Sequence, residues 1–419
     1  MEDKSNIGAI RDASQISMPK KIILGMQHTF TMFGATVLVP IITGLDISVS
    51  LFMAGVCTLI FHLITKKKMP VFLGSSFAFI APIAAVVEFV SARGGTDGLA
   101  YARGGIMVAG MVYVVVAALI YIFGVKKVVE FFPPVVTGPI ILVIGVKLAP
   151  TAIDMASGNW MLAIVSFLTV VGISIYAKGF LKVVPVMIGL IVGYVVAIIT
   201  GNVDFAPIVS ASWVGLPPFQ LPKFDFQTIM IIAPVAVVTM VEHVGDVIAI
   251  GATVEEDFLE EPGLHRTMLG DGLMTALSAL VGGPPNTTYS ENTGVLALTR
   301  VWDPVIMRIA AVFAIILGIV PKLASIISTI PQSVVGGISI VLFGMIASIG
   351  ARTLVENKVD FTSSRNLIIA AVIFVLGLGG AVLPINLGFV QFSIEGMALA
   401  AIIGIALNKI LPRDQVEEV

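Results

Sequence analysis

Apolar segments long enough to cross a bilayer recur along almost the whole chain, and nothing else in the sequence restricts its fold so severely. About 20 apolar residues span a hydrocarbon core. Within that core every backbone N–H and C=O must be satisfied by the protein, which leaves helices or closed barrels. Runs such as IMIIAPVAVVTMVEHVGDVIAI are long and continuous rather than alternating, which selects helices. Fourteen candidate spans are centred near residues 31, 57, 80, 113, 140, 168, 191, 238, 275, 293, 312, 339, 374 and 402. Only 12% of the residues are charged and the mean hydropathy is +1.05, whereas a soluble domain is about 25% charged. The expected class is an all-α polytopic membrane protein with little soluble mass.

Charge placement orients these spans. The opening MEDKSNIGAIRDASQISMPKK has neither the apolar core nor the small-residue cleavage site of a signal peptide, and reads as a cytosolic tail. With both termini inside, only Arg93, Arg103, Lys147, Lys223 and Lys322 of the 24 Lys and Arg fall outside. Clusters such as Lys66–Lys68 then lie on the cytoplasmic side, as the positive-inside rule requires. The acidic EEDFLEEPGLHR (255–266) reads as a solvated cytoplasmic loop. A plasma or bacterial inner membrane follows as the location. The net charge of −2, without a basic stretch, gives no sign of a nucleic-acid partner. Cys57, alone in an apolar run, builds no disulfide framework and no metal site. No Walker A sequence and no nucleophile–base pair stands out, so neither an enzyme nor a cofactor is expected.

The chain also repeats itself. EFFPPVVTGPIILVIG (130–145) resembles STIPQSVVGGISIVLF (328–343): apolar residues, Pro, a Val-Val turn with Gly, then another apolar run. This sets span five against span twelve. Seven spans per repeat is an odd number, so the two copies are inverted in the membrane. Spans three and ten obey the same offset, and both are broken at their starts, in GSSFAFIAP (74–82) and PPNTTYSENTG (284–294). Interrupted helices at matched positions of two halves point to a transporter's central site.

Ionisable residues within the spans fall where this repeat points. We read them as His28, Glu242, His243, Asp246 and Glu291, with His62 nearer a membrane edge. A carboxylate at bilayer depth costs roughly 2.5–3.5 kcal/mol on insertion scales. Glu242 and Glu291 are therefore the leading functional candidates. Asp246 lies one helical turn from Glu242, on the same face. Two carboxylates that close should not both stay ionised, which makes the group Glu242, Asp246 and Glu291 a place to hold a transported proton. For His243 the commoner role is a helix–helix hydrogen bond. Half-helices starting near Phe77 and Ser290 would aim backbone N–H groups at the same place. Two acceptors and two sets of donors suit a small, planar, neutral ligand with its own N–H and carbonyl groups. Phe77 and Tyr289 could stack on its ring or serve as packing.

At these residues the chain resembles a known family. ENTGVLALTR (291–300) is similar to the signature of the nucleobase–ascorbate transporters, also known as nucleobase:cation symporter-2. QHTFTMFGATVLVP (27–40), LGSSFAF (73–79), VEHVG (241–245), PGLHR (262–266) and GGPPNTTYSENTGV (282–295) resemble the bacterial uracil permeases of that family, in order and nearly end to end. The resemblance implies a seven-plus-seven inverted repeat with short antiparallel strands in spans three and ten. It implies a core domain of spans one to four (1–125) and eight to eleven (226–320). A gate domain would hold spans five to seven (126–225) and twelve to fourteen (321–419, with the tail). Uracil would sit between the half-helices that follow the strands of spans three and ten, accepted by Glu242 and Glu291, with backbone donors at Phe77 and Ser290 and with His28, Ala35 and Tyr289 nearby. A proton would be co-transported, and two copies would pair through the gate. Glu291, where purine carriers tend to have Gln, favours a pyrimidine. Alternatives are another nucleobase such as xanthine, sodium coupling, or an anion transporter of the same architecture, against which the carboxylates argue. Two positions depart from the pattern: Asp246 stands where uracil permeases usually have His, and Ser290 where Gly is common.

Overall fold

The structure, a computed structural model, describes residues 9–289, 291–386 and 391–412. Helices stand at all fourteen predicted positions. The first seven are α1 (Met18–Thr43), α2 (Ile47–Ile64), α3 (Ile80–Ala92), α4 (Gly98–Phe123), α5 (Pro134–Ser157), α6 (Trp160–Tyr176) and α7 (Pro185–Ile199). The second seven are α8 (Phe226–Val254), α9 (Leu264–Leu280), α10 (Glu291–Thr299), α11 (Val305–Gly318), α12 (Gln332–Glu356), α13 (Ser364–Leu378) and α14 (Gly396–Ile410). Among the described residues, α1, α2, α4, α5, α8 and α12 are each long and apolar enough to cross a membrane. A seventh crossing is available if α11 is joined to the helix Pro321–Ser328, which is bent from it by 80°. The sequence reading placed one span there, centred near residue 312. Pro321 has no N–H to continue the ladder, so the chain turns and starts a new helix.

The two weakest spans are short for a reason. α3 and α10 are each preceded by extended chain, β1 (Leu73–Ser75) and β2 (Asn286–Thr288). They pair antiparallel, Leu73 opposite Thr288 and Ser75 opposite Asn286, so each satisfies the other's backbone away from water. These are the strands the family resemblance implied. A second antiparallel pair, β3 (Val382–Asn386) with β4 (Gln391–Glu395), joins α13 to α14. The sequence reading did not anticipate it.

Helix packing runs through small residues, as expected where lipid removes the hydrophobic drive between helices. α5 lies along α12, and a Cβ on Gly145 would sit 2.4 Å from the Phe343 carbonyl oxygen. A Cβ on Gly350 would sit 2.4 Å from the Leu142 nitrogen. α6 packs on α7 and α12, and α13 on α14 and α5. Elsewhere α4 lies along α9, and α2 along α11 with α1 beside them. Repeat-related elements thus meet directly: β1 with β2, and α5 with α12.

One end of the molecule gathers the segments expected on a single side of the membrane. Ile10 bridges Val301, and Arg11 pairs with Glu256 at 2.5 Å. Lys66 and Lys68 both reach Glu261, at 3.3 and 3.2 Å. These two cations hold the exposed Glu261 carboxyl below the usual carboxylate range.

Candidate functional site

The paired strands are pinned from three helices, mainly by hydroxyls. The Leu73 N–H donates to Thr58 Oγ1 of α2 at 2.9 Å, and Thr275 Oγ1 of α9 donates to the Asn286 carbonyl at 2.6 Å. Ser75 Oγ donates to the Thr36 carbonyl of α1 at 3.1 Å. The Tyr289 N–H donates to the Phe72 carbonyl at 3.0 Å. This frame fixes where the two half-helices begin. One opens through a 3-10 turn at Phe77–Phe79 into α3, and the other opens at Glu291 into α10. Ser290, expected to present a backbone donor, lies outside the described residues.

Both leading carboxylates meet at this junction. Glu242, on α8, is half-buried, and its Oε2 is buried without a hydrogen-bond partner. Its carboxyl lies within electrostatic reach of Glu291 and of Asp271. Glu291 is exposed although it opens an internal half-helix. Asp246 follows Glu242 by one turn and is half-buried. The buried Tyr113 of α4 lies within electrostatic reach of Glu242, Asp246 and Asp271.

Exposure continues along the helices that carry these groups. On α8 it recurs at helical spacing, at Gly245, Ala249 and Ala252; on α10 it recurs at Glu291, Gly294 and Ala297. No atom lies within 4 Å of a Cβ built on Gly245. Both stripes run toward a cavity of about 550 Å³ lined by Thr253, Glu255, Ala297, Arg300 and Trp302. That cavity opens at the end of the molecule that carries Arg11 and Lys66–Lys68.

The remaining predicted residues surround this junction. His28 and Ala35 share one face of α1 and both are buried, and neither ring nitrogen of His28 has a partner. Phe77 is buried, its ring edge-on to Phe343 of α12 at 6.1 Å. Tyr289 is buried too. Its ring lies across Gly74, where a Cβ would come within 2.3 Å of it, and its hydroxyl donates to the Ser75 carbonyl at 2.9 Å.

His243 makes the helix–helix hydrogen bond expected of it, its Nε2 3.0 Å from Thr267 Oγ1 of α9, but sequence reasoning missed Asp271. Asp271, on α9, is wholly buried, and its Oδ2 lies 3.1 Å from His243 Nδ1. In the run MLGDGLM the polar interruption of an apolar segment was the signal that could have found it. His62 also proves wholly buried, its Nε2 2.8 Å from the Val71 carbonyl.

Known proteins share both the sequence and the architecture. Residues 19–386 match the profile of the Permease family. A uracil permease of Bacillus caldolyticus is 46% identical over 406 residues, covering 93% of this chain and 92% of its own. A uracil permease of Bacillus subtilis is 43% identical over 416 residues, covering 95% and 94%. Among solved structures, the transmembrane domain of the cyanobacterial bicarbonate transporter BicA superimposes with a TM-score of 0.65. It is 17% identical and covers 94% of this chain and 98% of its own, so the likeness is one of fold.

Proposed function

The chain belongs to the permease family, nucleobase:cation symporter-2, and from that premise we propose that it imports uracil together with a proton. The observation that carries this reading is the convergence of Glu242 and Glu291 on the starts of two strand-led half-helices. Uracil has N–H donors flanked by carbonyl acceptors. The carboxylates accept from the former, and backbone N–H groups at the half-helix starts donate to the latter. Relatives at this identity that carry the name uracil permease support the pyrimidine assignment.

Transport then follows from alternating access. We divide the molecule as the family resemblance implied, with α1–α4 and α8–α11 as a core that carries the site. The core moves against a gate of α5–α7 and α12–α14. The exposed stripes of α8 and α10 open this conformation toward the end that bears the chain start, which the positive-inside rule makes cytoplasmic. A proton taken up outside cancels one charge among the site carboxylates, which lowers the cost of carrying the loaded core past lipid. On this reading the protein sits in the plasma or bacterial inner membrane with both termini inside, and two copies pair through the gate.

The test is uptake of radiolabelled uracil into proteoliposomes with and without an inward proton gradient. We expect accumulation above equilibrium only with the gradient. Absence of uptake under either condition sinks the reading. Uptake driven by sodium and indifferent to pH replaces the coupling ion.

A further inference from the structure

Five side chains behind the carboxylates form a network whose proton count can be read from its donors. His243 and Asp271 are both fully buried. His243 Nε2 lies 3.0 Å from Thr267 Oγ1, and the Thr267 hydroxyl donates its one hydrogen to the Leu264 carbonyl at 3.1 Å. Thr267 can then only accept from the ring, so Nε2 carries a hydrogen. On the other side Nδ1 and Asp271 Oδ2 are 3.1 Å apart. Two lone pairs at that distance repel, so a proton lies between them. The Thr287 hydroxyl donates to Oδ2 at 3.4 Å, and the Thr288 hydroxyl lies 3.3 Å from Nδ1. Three atoms thus share two protons, one more than a neutral imidazole beside a carboxylate supplies. Asp271 Oδ1 is buried with no partner, a poor position for an uncompensated charge.

We propose that the His243–Asp271 pair holds the proton that is co-transported, and is the coupling unit of this carrier. The proposal rests on the reading of the chain as a proton-driven uracil importer, and it shifts the coupling role away from Asp246. Placement supports it. His243 adjoins Glu242 in sequence, and Thr288 precedes Glu291 by three residues. The pair therefore lies on the helix that carries Glu242 and against the strand that leads to Glu291. Other titratable groups facing it are Glu242 on α8, Tyr113 on α4 and Cys57 on α2; Asp246 on α8 and Glu291 on α10 face Tyr113 and Glu242, one step further out. When the proton leaves, a bare carboxylate faces Thr287 and Glu242. That change alters both strand β2 and the charge seen by the ligand. A pair holding only one proton needs Thr267 to release Leu264 and donate to Nε2 instead.

Asp271→Asn fixes the carboxyl in a neutral form. In proteoliposomes its uracil uptake should lose stimulation by an inward proton gradient, the ratio with and without gradient falling to about one. Uracil counterflow should continue above protein-free background, and the pH profile should flatten. Gradient stimulation equal to wild type overturns the proposal. His243→Asn should give the same split, and thermal unfolding identifies any variant that fails to fold. Wild-type protein supplies a readout that needs no variant to be active. With only four His in the chain, ¹⁵N-imidazole spectra combined with infrared absorption of carboxylic acids count the protons directly. An imidazolium at His243, or an acid band that Asp271→Asn removes, fits the proposal; a neutral His243 with no such band refutes it. If wild-type protein carries no uracil under any condition, the proposed function fails, while the proton count is still decided by spectroscopy.

Discussion

Two glutamates gave the strongest residue-scale signal, because a carboxylate is expensive in lipid and hard to mistake for packing. Each is assigned an acceptor role toward ligand N–H groups, and a charge-assisted hydrogen bond contributes about 1.5–3 kcal/mol. Glu242→Gln and Glu291→Gln should each weaken uracil binding by roughly 10- to 100-fold, measured by calorimetry on purified protein. Their thermal unfolding should stay near wild type, since Glu242 Oε2 has no protein partner to lose and Glu291 is exposed. Near-normal binding in both variants would remove them from the site. Asp246→Asn separates two readings. If Asp246 carries the proton, its substitution flattens the pH dependence of uptake; if His243 and Asp271 carry it, the pH dependence survives. The sequence could show Glu242 and Glu291 because their cost is local. It could not show that Asp271 meets His243, since that contact joins two helices through tertiary packing.

Elements were legible where hydropathy alone decides them, and less so where the backbone needs a partner. All fourteen helix positions follow from apolar runs. The break after α11 and the β3–β4 pair do not, because both depend on how the chain satisfies its backbone after an interruption. The β1–β2 frame depends most on a close approach at Gly74, beneath the Tyr289 ring. Gly74→Ala should push that ring away and lower stability by about 1–3 kcal/mol, in the range of overpacked cores. Uracil binding should fall with it, because the strands set where both half-helices begin. Gly245→Ala, with open space around it, is the contrasting substitution and should unfold at the wild-type temperature. A different dependence is expected at the Lys66–Lys68 turn. Glu261 has a lowered pKa, so its contribution is complete above the usual carboxylate range and is lost as pH falls through its folded value. Wild type and Glu261→Gln should differ slightly in unfolding temperature at pH 7, converge in acid, and draw together in high salt.

At the scale of the whole molecule, orientation and conformation make one joint prediction. The basic clusters, the chain start and the 550 Å³ cavity share an end, and the exposed stripes of α8 and α10 lead from it to the glutamates. If that end is cytoplasmic, water from inside the cell reaches α10 while the outer side is shut. Cysteine labelling can read this cleanly, because the one native thiol, Cys57, is buried. Ala297→Cys places a thiol on the exposed stripe and at the cavity wall. A membrane-impermeant maleimide should modify it in inside-out vesicles and spare it in right-side-out vesicles, with wild type unmodified in both. Saturating uracil should change the labelling rate, because the ligand binds where both stripes end and biases the carrier among its conformations. Modification from the outside alone reverses the orientation deduced from the lysines and arginines. Protection on both sides means that α10 faces protein or lipid rather than water, and the path assigned to the departing substrate must then lie elsewhere.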